Sequence, residues 1–327
     1  MLRSTTAAKP ERLARALAGL RRYQEAVRTL PPAPQPSIAV RHGAALRDYG
    51  GDGPDLLFIP SLINPPTVLD LSGKSLLRWL AARGRRVLLL DWGPADGRRD
   101  LSVAGHVEEI ILPFLRGLPA PADLAGYCLG GTMALAAAQL AGARSLSLIA
   151  TPWHFSGFGE TQQADLAELW DQSKPLAAQF GVLPMEVLQA AFWQLDPERT
   201  VGKYEQLADA DAATLAAFVQ LEDWANDGPP LPRLAARELL EDFFAADLPG
   251  RAAWRVGGQA IDPASLACPI FDIVSTTDRI VPAASASGIG ERLELNRGHV
   301  GMVVGSKAEA ELWQPLAAWL SRVSPTC

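Results

Sequence analysis

Between residues 56 and 152 the apolar positions of this chain fall in blocks rather than at every second place. Four runs stand out: LLFIP (Leu56 to Pro60), VLLLDWG (Val87 to Gly93), DLAGYC (Asp123 to Cys128) and SLSLIATP (Ser145 to Pro152). Each has strand length and almost no polar face. A strand without a polar face is covered on both sides, which is the condition of a parallel sheet between layers of helices. The intervening stretches step at helical spacing: Asp70 to Gly84 is predicted mostly helical, Val103 to Leu115 a helix, and Gly131 to Ala141 a helix of small residues. Upstream, Ser37 to Tyr49 predicts a hairpin turning at His42 and Gly43.

The rhythm stops after Trp153. The next stretch is rich in Leu, Ala, Phe and Trp at helical spacing, with loops such as Asp223 to Pro232. It resumes at Pro269 to Ser275, followed by a short strand at Leu293 to Leu295 and a last helix from Ser306 to Val323. The pattern implies an α/β fold, a mostly parallel sheet flanked by helices. Residues 37–154 and 266–327 form its core, and residues 155–265 form a helical cap inserted over the carboxyl edge of the sheet, where open α/β sheets bind ligands. Residues 1–36 stand apart. Pro10 to Leu30 reads as an amphipathic helix whose stripe of Leu13, Leu17, Leu20, Tyr23, Val27 and Leu30 is expected to pack on the main domain or on a partner. The following PPAPQP is a stiff linker.

Composition narrows the function classes. Of 327 residues, 48% are apolar and 20% charged, as in globular chains. The net charge of -6 and the lack of a basic block argue against nucleic acid as a partner. Three scattered cysteines (Cys128, Cys268 and Cys327) make no disulfide framework, and with four histidines and no Cys-x-x-Cys no metal site is expected. No run reaches the ~18 apolar residues of a membrane span, and the N-terminus lacks the apolar stretch of a secretory signal. A reducing, cytoplasmic location is expected, which would keep a thiol at Cys128 usable.

The chemistry concentrates in GYCLGG (Gly126 to Gly131). Gly-x-Cys-x-Gly-Gly between a strand and a helix is the setting of a nucleophile elbow. The helix N-terminus would point at the thiol and favour its anion, and the Leu129 amide would face a developing oxyanion. The bland alternative is a buried cysteine in a glycine turn. An elbow needs an acid and a histidine later in the chain. Asp278, in STTDRIVP, lies just past the strand ending at Ser275, and His299, in NRGHVGMVVG, lies in a loop before the last helix. Singly these read as a turn aspartate and a loop histidine; their order and positions together point to a Cys-His-Asp triad. A second oxyanion amide is expected from SLINPP, at Ile63 or Asn64, unless that stretch is an ordinary proline-rich turn.

These segments, with LLFIPSLINPPTVLDL, GRRVLLLDWGPAD, GYCLGGT, TTDRIVPAAS and GHVGMVVGSKAEAELW in order, give a chain that resembles the catalytic domain of polyhydroxyalkanoate synthases, within the α/β-hydrolase superfamily. The resemblance runs from about residue 40 to the C-terminus. It implies polymerisation of (R)-3-hydroxyacyl-CoA to polyester with release of CoA, the CoA thioester being substrate and no separate cofactor being needed. Cys128 would carry the acyl or polymer chain as a thioester. His299 would deprotonate the thiol, and Asp278 would orient His299 or help activate the incoming 3-hydroxyl. The length is similar to that of short-subunit synthases, which implies a second synthase subunit or a homodimer, and a polyester granule surface nearby.

Three further residues fall near the implied pocket. Trp92 belongs to the Asp-Trp-Gly strand end. His154 stands where these synthases often have an aspartate, and reads as a pocket-edge or surface histidine. Asp227, in DWANDG, is similar to part of a Trp-Asn-x-Asp stretch and reads as a turn residue. Rival readings remain. Dienelactone hydrolases share the cysteine hexapeptide and triad but are compact, without a long insertion between nucleophile and acid. An acyl-CoA thioesterase would use the same triad with water as acceptor. A non-catalytic granule-associated or binding protein would use the N-terminal helix and apolar cap as surfaces.

Overall fold

The computed structural model describes residues 2–6, 9–28 and 33–323. Eight strands form one sheet: β1 (Ser37–Arg41), β2 (Ala44–Asp48), β3 (Asp55–Ile59), β4 (Arg86–Asp91), β5 (Asp123–Tyr127), β6 (Ser145–Ile149), β7 (Ile270–Ser275) and β8 (Glu291–Leu295). Their spatial order is β1-β2-β4-β3-β5-β6-β7-β8. β2 runs antiparallel to both neighbours, and every pair from β4 to β8 is parallel. β5, β6 and β7 are buried along their whole length, including polar side chains at Asp123, Ser145, Ser147 and Asp272. The apolar runs extend a residue or more beyond three of these strands, so Trp92, Gly93, Cys128, Thr151 and Pro152 fall in loops at the carboxyl ends.

Helices cover both faces. One buried cluster joins the sheet to a continuous helix α3 (Val103–His106, Val107–Ile111 and Leu112–Arg116) and to α4 (Leu129–Ala141), after α1 (Pro10–Glu25) and α2 (Leu76–Ala81) in chain order. The other joins it to α2 and the C-terminal helices. Between β6 and β7 the chain builds α5 (Glu160–Phe180), α6 (Met185–Leu195), α7 (Pro197–Leu207), α8 (Ala212–Asn226) and α9 (Arg233–Arg237, continuing through Glu238–Ala245). Trp170, Leu188 and Leu239 of these helices join the same buried cluster as β3 and β5.

Three expected elements differ. Asp70 to Gly84 is helical only over Leu76–Ala81. Asp70–Leu71 and Lys74–Ser75 instead pair as a two-stranded ribbon turning at Gly73, and the Ser75 hydroxyl caps the helix by accepting the Arg78 N–H. The expected loop at Asp223 begins only at Asp227, because α8 runs through Asn226.

The N-terminal helix stops at Glu25; Leu30 and the first two prolines of the linker lie outside the described residues. Its contact face overlaps the expected stripe only in part: Tyr23 packs edge-on against Tyr204 and Phe218 and donates to Asp223, and Leu13 and Leu20 are half-buried. Leu17 and Val27 are exposed, and the buried positions are Ala16 and Gly19, packed on α7. A Cβ on Gly19 would lie 1.8 Å from the Tyr204 carbonyl oxygen, so only glycine admits this approach. Arginines complete the contact. Arg12 bonds Glu198 and Glu205, Arg15 bonds Asp209, and Arg22 donates to the carbonyls of Leu207, Ala208 and Ala210 at the end of α7. Those carbonyls have no partner within the helix, and a guanidinium there also meets the negative end of the helix dipole.

Candidate active site

The site starts from a backbone turn. β5 ends at Tyr127, α4 starts at Leu129, and Cys128 between them has φ 56° and ψ -131°. That conformation is costly for any residue with a side chain and persists only where the surroundings enforce it. Here the Cys128 N–H donates to the Ile149 carbonyl at 2.9 Å, and the flanking glycines allow the strand and helix to close on each other. A Cβ on Gly126 would meet the Gly131 Cα at 2.3 Å, and one on Gly130 would meet the Ile59 carbonyl oxygen at 2.0 Å. The side chain of Cys128 is left half-buried at the N-terminus of α4.

Two loops at the carboxyl ends of β7 and β8 meet it. Asp278 and His299 are both buried, and His299 Nδ1 lies 2.6 Å from Asp278 Oδ2. The other carboxylate oxygen accepts the backbone N–H groups of Ile280 at 2.8 Å and Val281 at 3.0 Å, which fixes its orientation. The Cys128 sulfur is the other group that acts on the same imidazole. Burial works against charge on His299, but the Asp278 carboxylate and the Cys128 sulfur outweigh it, and the imidazole is pushed up to about 10. Near neutral pH the proton therefore rests on the ring between a carboxylate and the sulfur. Such an arrangement can present a thiolate to an electrophilic carbonyl and return a proton to a leaving group.

A residue that the motifs did not flag holds the ring. Tyr127 stacks on His299 with centroids 4.9 Å apart, and its hydroxyl donates to the His299 carbonyl at 3.2 Å. Its one sequence signal is its place immediately before the cysteine.

The expected oxyanion donors divide. Leu129 opens α4, so its N–H has no intrahelical acceptor, and Leu129, Ile63 and Cys128 line one cavity. The Ile63 N–H donates to the Ser61 hydroxyl at 3.1 Å in this state. Asn64 has φ 65°; its side chain donates to the Ala225 carbonyl at the end of α8, and the residue is not part of the cavity lining. None of the three expected pocket residues lines it either. Trp92 is buried behind the Ser61 loop, where its indole N–H donates to the Pro60 carbonyl and its ring meets His106 edge-on. His154 is half-buried past β6, with its backbone N–H on the Ser285 carbonyl. Asp227 is exposed at the end of α8. Pro152 and Phe155, on either side of the Trp153–His154 pair, do line the cavity.

The cavity has a volume of about 470 Å³. Cys128, Leu129 and Ile63 form its floor, Phe155, Phe158 and Phe244 a wall, and the start of α5 its polar rim. The wall is braced: Asp247 accepts the N–H groups of Phe155 and Ser156, and the Gln163 amide donates to the Phe155 and Phe244 carbonyls. A second cavity of the same volume, beside Cys268 and Trp319, lies at the opposite end of β7.

No family model matches the chain. It is 28% identical over 291 residues to the poly(3-hydroxyalkanoate) polymerase subunit PhaC of Haloferax mediterranei, a match covering 83% of this chain and 59% of that protein. The subunit of the same name from Haloarcula marismortui is 26% identical over 302 residues, 86% of this chain and 64% of the relative. That of a Synechocystis strain is 29% identical over 292 residues, 81% of this chain and 77% of the relative. The chain thus spans about three fifths of the length of the two archaeal relatives. Among solved structures, BpoC of Mycobacterium tuberculosis matches with a TM-score of 0.55 at 16% identity, over 90% of this chain and 99% of that one. The N-acyl homoserine lactonase AidH matches with a TM-score of 0.53 at 18% identity, over 89% and 98%. These likenesses, with the strand order and the parallel sheet, show the α/β-hydrolase fold.

Proposed function

From a chain that is a relative of the poly(3-hydroxyalkanoate) polymerases, we propose an acyltransferase that joins (R)-3-hydroxyacyl groups from CoA thioesters into polyester through Cys128. The observation that carries this reading is the buried contact of His299 with Asp278, together with a cysteine held at a strained elbow whose sulfur also raises the imidazole. In the first half-reaction the Cys128 sulfur bonds to the thioester carbonyl carbon. The carbon–sulfur bond to CoA breaks, and the CoA sulfur leaves with the proton held by His299. The amides of Leu129 and Ile63 receive the carbonyl oxygen as it becomes anionic; the Ile63 amide exchanges the Ser61 hydroxyl for it. In the second half His299 takes the proton of an incoming 3-hydroxyl, whose oxygen attacks the Cys128 thioester and releases the sulfur. Exchange between two thioesters is nearly balanced in energy, and the enzyme thioester keeps its reactivity toward an alcohol.

The named relatives are described as subunits, and we propose that this chain acts as a homodimer or with a second synthase subunit, at a polyester granule in the cytoplasm. Among the described residues no helix is long and apolar enough to cross a membrane. The N-terminal helix packs on α7, with Arg12 and Arg22 held in that contact.

The test is incubation with (R)-3-hydroxybutyryl-CoA, following CoA, free acid and insoluble polyester together. CoA release with polymer, lost in Cys128→Ala, is the expected result. Release with free acid alone reassigns the protein as a thioesterase. A rate unchanged in Cys128→Ala refutes the mechanism.

A further inference from the structure

We infer that the cavity above Cys128 seats the alkyl branch of a medium-length (R)-3-hydroxyacyl group, of about eight to twelve carbons, rather than the methyl branch of a four-carbon unit; the inference rests on the proposed acyl transfer. Cys128 is itself part of the cavity floor, so a chain bonded to its sulfur starts inside. The walls above are phenylalanine and leucine from α5, α6 and α9. At ~30 Å³ per water, about 470 Å³ is room for on the order of fifteen water molecules. A methyl branch would leave most of that space as water against apolar walls, which is unfavourable, whereas each added methylene displaces some of it.

The rim decides which part of the substrate enters. Its polar residues come from the start of α5 and from Gln194 on α6, and its charges, Glu160 and Asp165, are acidic and exposed. Carboxylates repel the phosphates of CoA, so the nucleotide stays outside and the neutral chain goes in. The walls are not free to collapse on a short chain. Phe155, Phe158 and Phe244 pack on one another with centroids 4.8 to 5.7 Å apart, over the hydrogen bonds from Asp247 and Gln163. Ala191 on α6 is the smallest side chain of the lining above the floor, apart from Gly159 at the rim, and leaves room that a larger residue would fill.

The experiment is single-turnover CoA release from (R)-3-hydroxyacyl-CoA of four to twelve carbons, with full-length protein free of polymer. The acylation efficiency is expected to rise about tenfold for each two methylenes, to an optimum at eight carbons or longer. Ala191→Phe is expected to move that optimum to shorter chains, with the near-UV circular dichroism unchanged. A companion substitution, Phe158→Ala, should move it the other way and keeps the test decisive should the first variant misfold. A flat or falling profile in the native protein overturns the inference and leaves acyl transfer standing. So does a chain-length preference that emerges only after priming with polyester, which would assign the cavity to the polymer. Release of CoA from none of the thioesters overturns the functional reading and this inference with it.

Discussion

Replacing Asp278 with asparagine removes a charge and almost no volume, and the surroundings allow the loss to be worked out. Asp278 uses both oxygens: one accepts the N–H groups of Ile280 and Val281, the other faces His299 Nδ1 at 2.6 Å. Asparagine has one oxygen. If it stays with the two amides, the side-chain NH₂ faces Nδ1 and drives the ring proton to the nitrogen beside Cys128, which leaves no base there. If it turns round, two backbone donors face an NH₂ group, at roughly 1–3 kcal/mol for each donor left unpaired. The rise of His299 from 6.5 to about 10 corresponds to ~5 kcal/mol in favour of the protonated ring, with Asp278 the larger of its two attractive partners. Losing most of that slows acylation by about 10³-fold, at ~1.4 kcal/mol per tenfold.

The assay is the CoA burst in Asp278→Asn, with thermal unfolding as the control for fold. The pH dependence follows from the same shift. A histidine raised in the folded state contributes its full stabilisation below its unfolded value of about 6.5, and loses it as pH climbs through the folded value of about 10. The gap in Tm between native protein and variant should thus be wide at pH 6 and nearly closed above pH 10. A burst within tenfold of the native rate in a folded variant, or a Tm gap that does not change over this range, refutes the assignment of Asp278 as the partner that holds the proton on His299.

Three other outcomes are expected. Asp272 on β7 is fully buried, and burial pushes its carboxyl up to about 6 against the opposing Gly288 N–H; its ionisation is a cost that appears as pH rises from about 4 to 6 and stays above, so Asp272→Asn should stabilise by up to ~3 kcal/mol at pH 8 and by little at pH 3.5, measured by denaturant unfolding. Gly130→Ala would press a methyl on the Ile59 and Pro60 backbone, directly before the Ser61–Asn64 loop, and should cost ~1–3 kcal/mol in stability together with most of the CoA burst; an active variant with native Tm would mean that the loop yields freely. Gly19→Leu should detach α1 from α7 and speed proteolytic cleavage between residues 26 and 36, and a cleavage rate equal to the native one would show that the helix keeps its seat without the close backbone contact.

Local windows of sequence carried most of the sheet. Runs such as Leu56 to Ile59 and Val87 to Leu90 have no polar face, so burial on both sides and strand length followed from composition alone. Cys128, Asp278 and His299 could be singled out because each follows the end of a strand, and their order in the chain suits a triad. The misread elements are those in which an apolar residue was taken to mark the buried face. In α1 the closest approach is at Ala16 and Gly19, where α7 comes too near for leucine; Tyr23 of the expected stripe packs beside them, and the arginines find acceptors that only the folded chain assembles. Asp70 to Gly84 looked helical by spacing, but Gly73 and the Ser75 cap divided it. Trp92, His154 and Asp227 sat near strand or helix ends and still missed the cavity, because distance along the chain does not set the direction of a side chain. The strands, the elbow and the identities of the polar groups were legible in the chain, since these depend on near neighbours in the sequence. Only the assembled chain sets Asp278 against His299, stacks Tyr127 on the ring and encloses apolar space above Cys128, because contact, stacking and volume there are set by loops and helices brought together from distant parts of the chain.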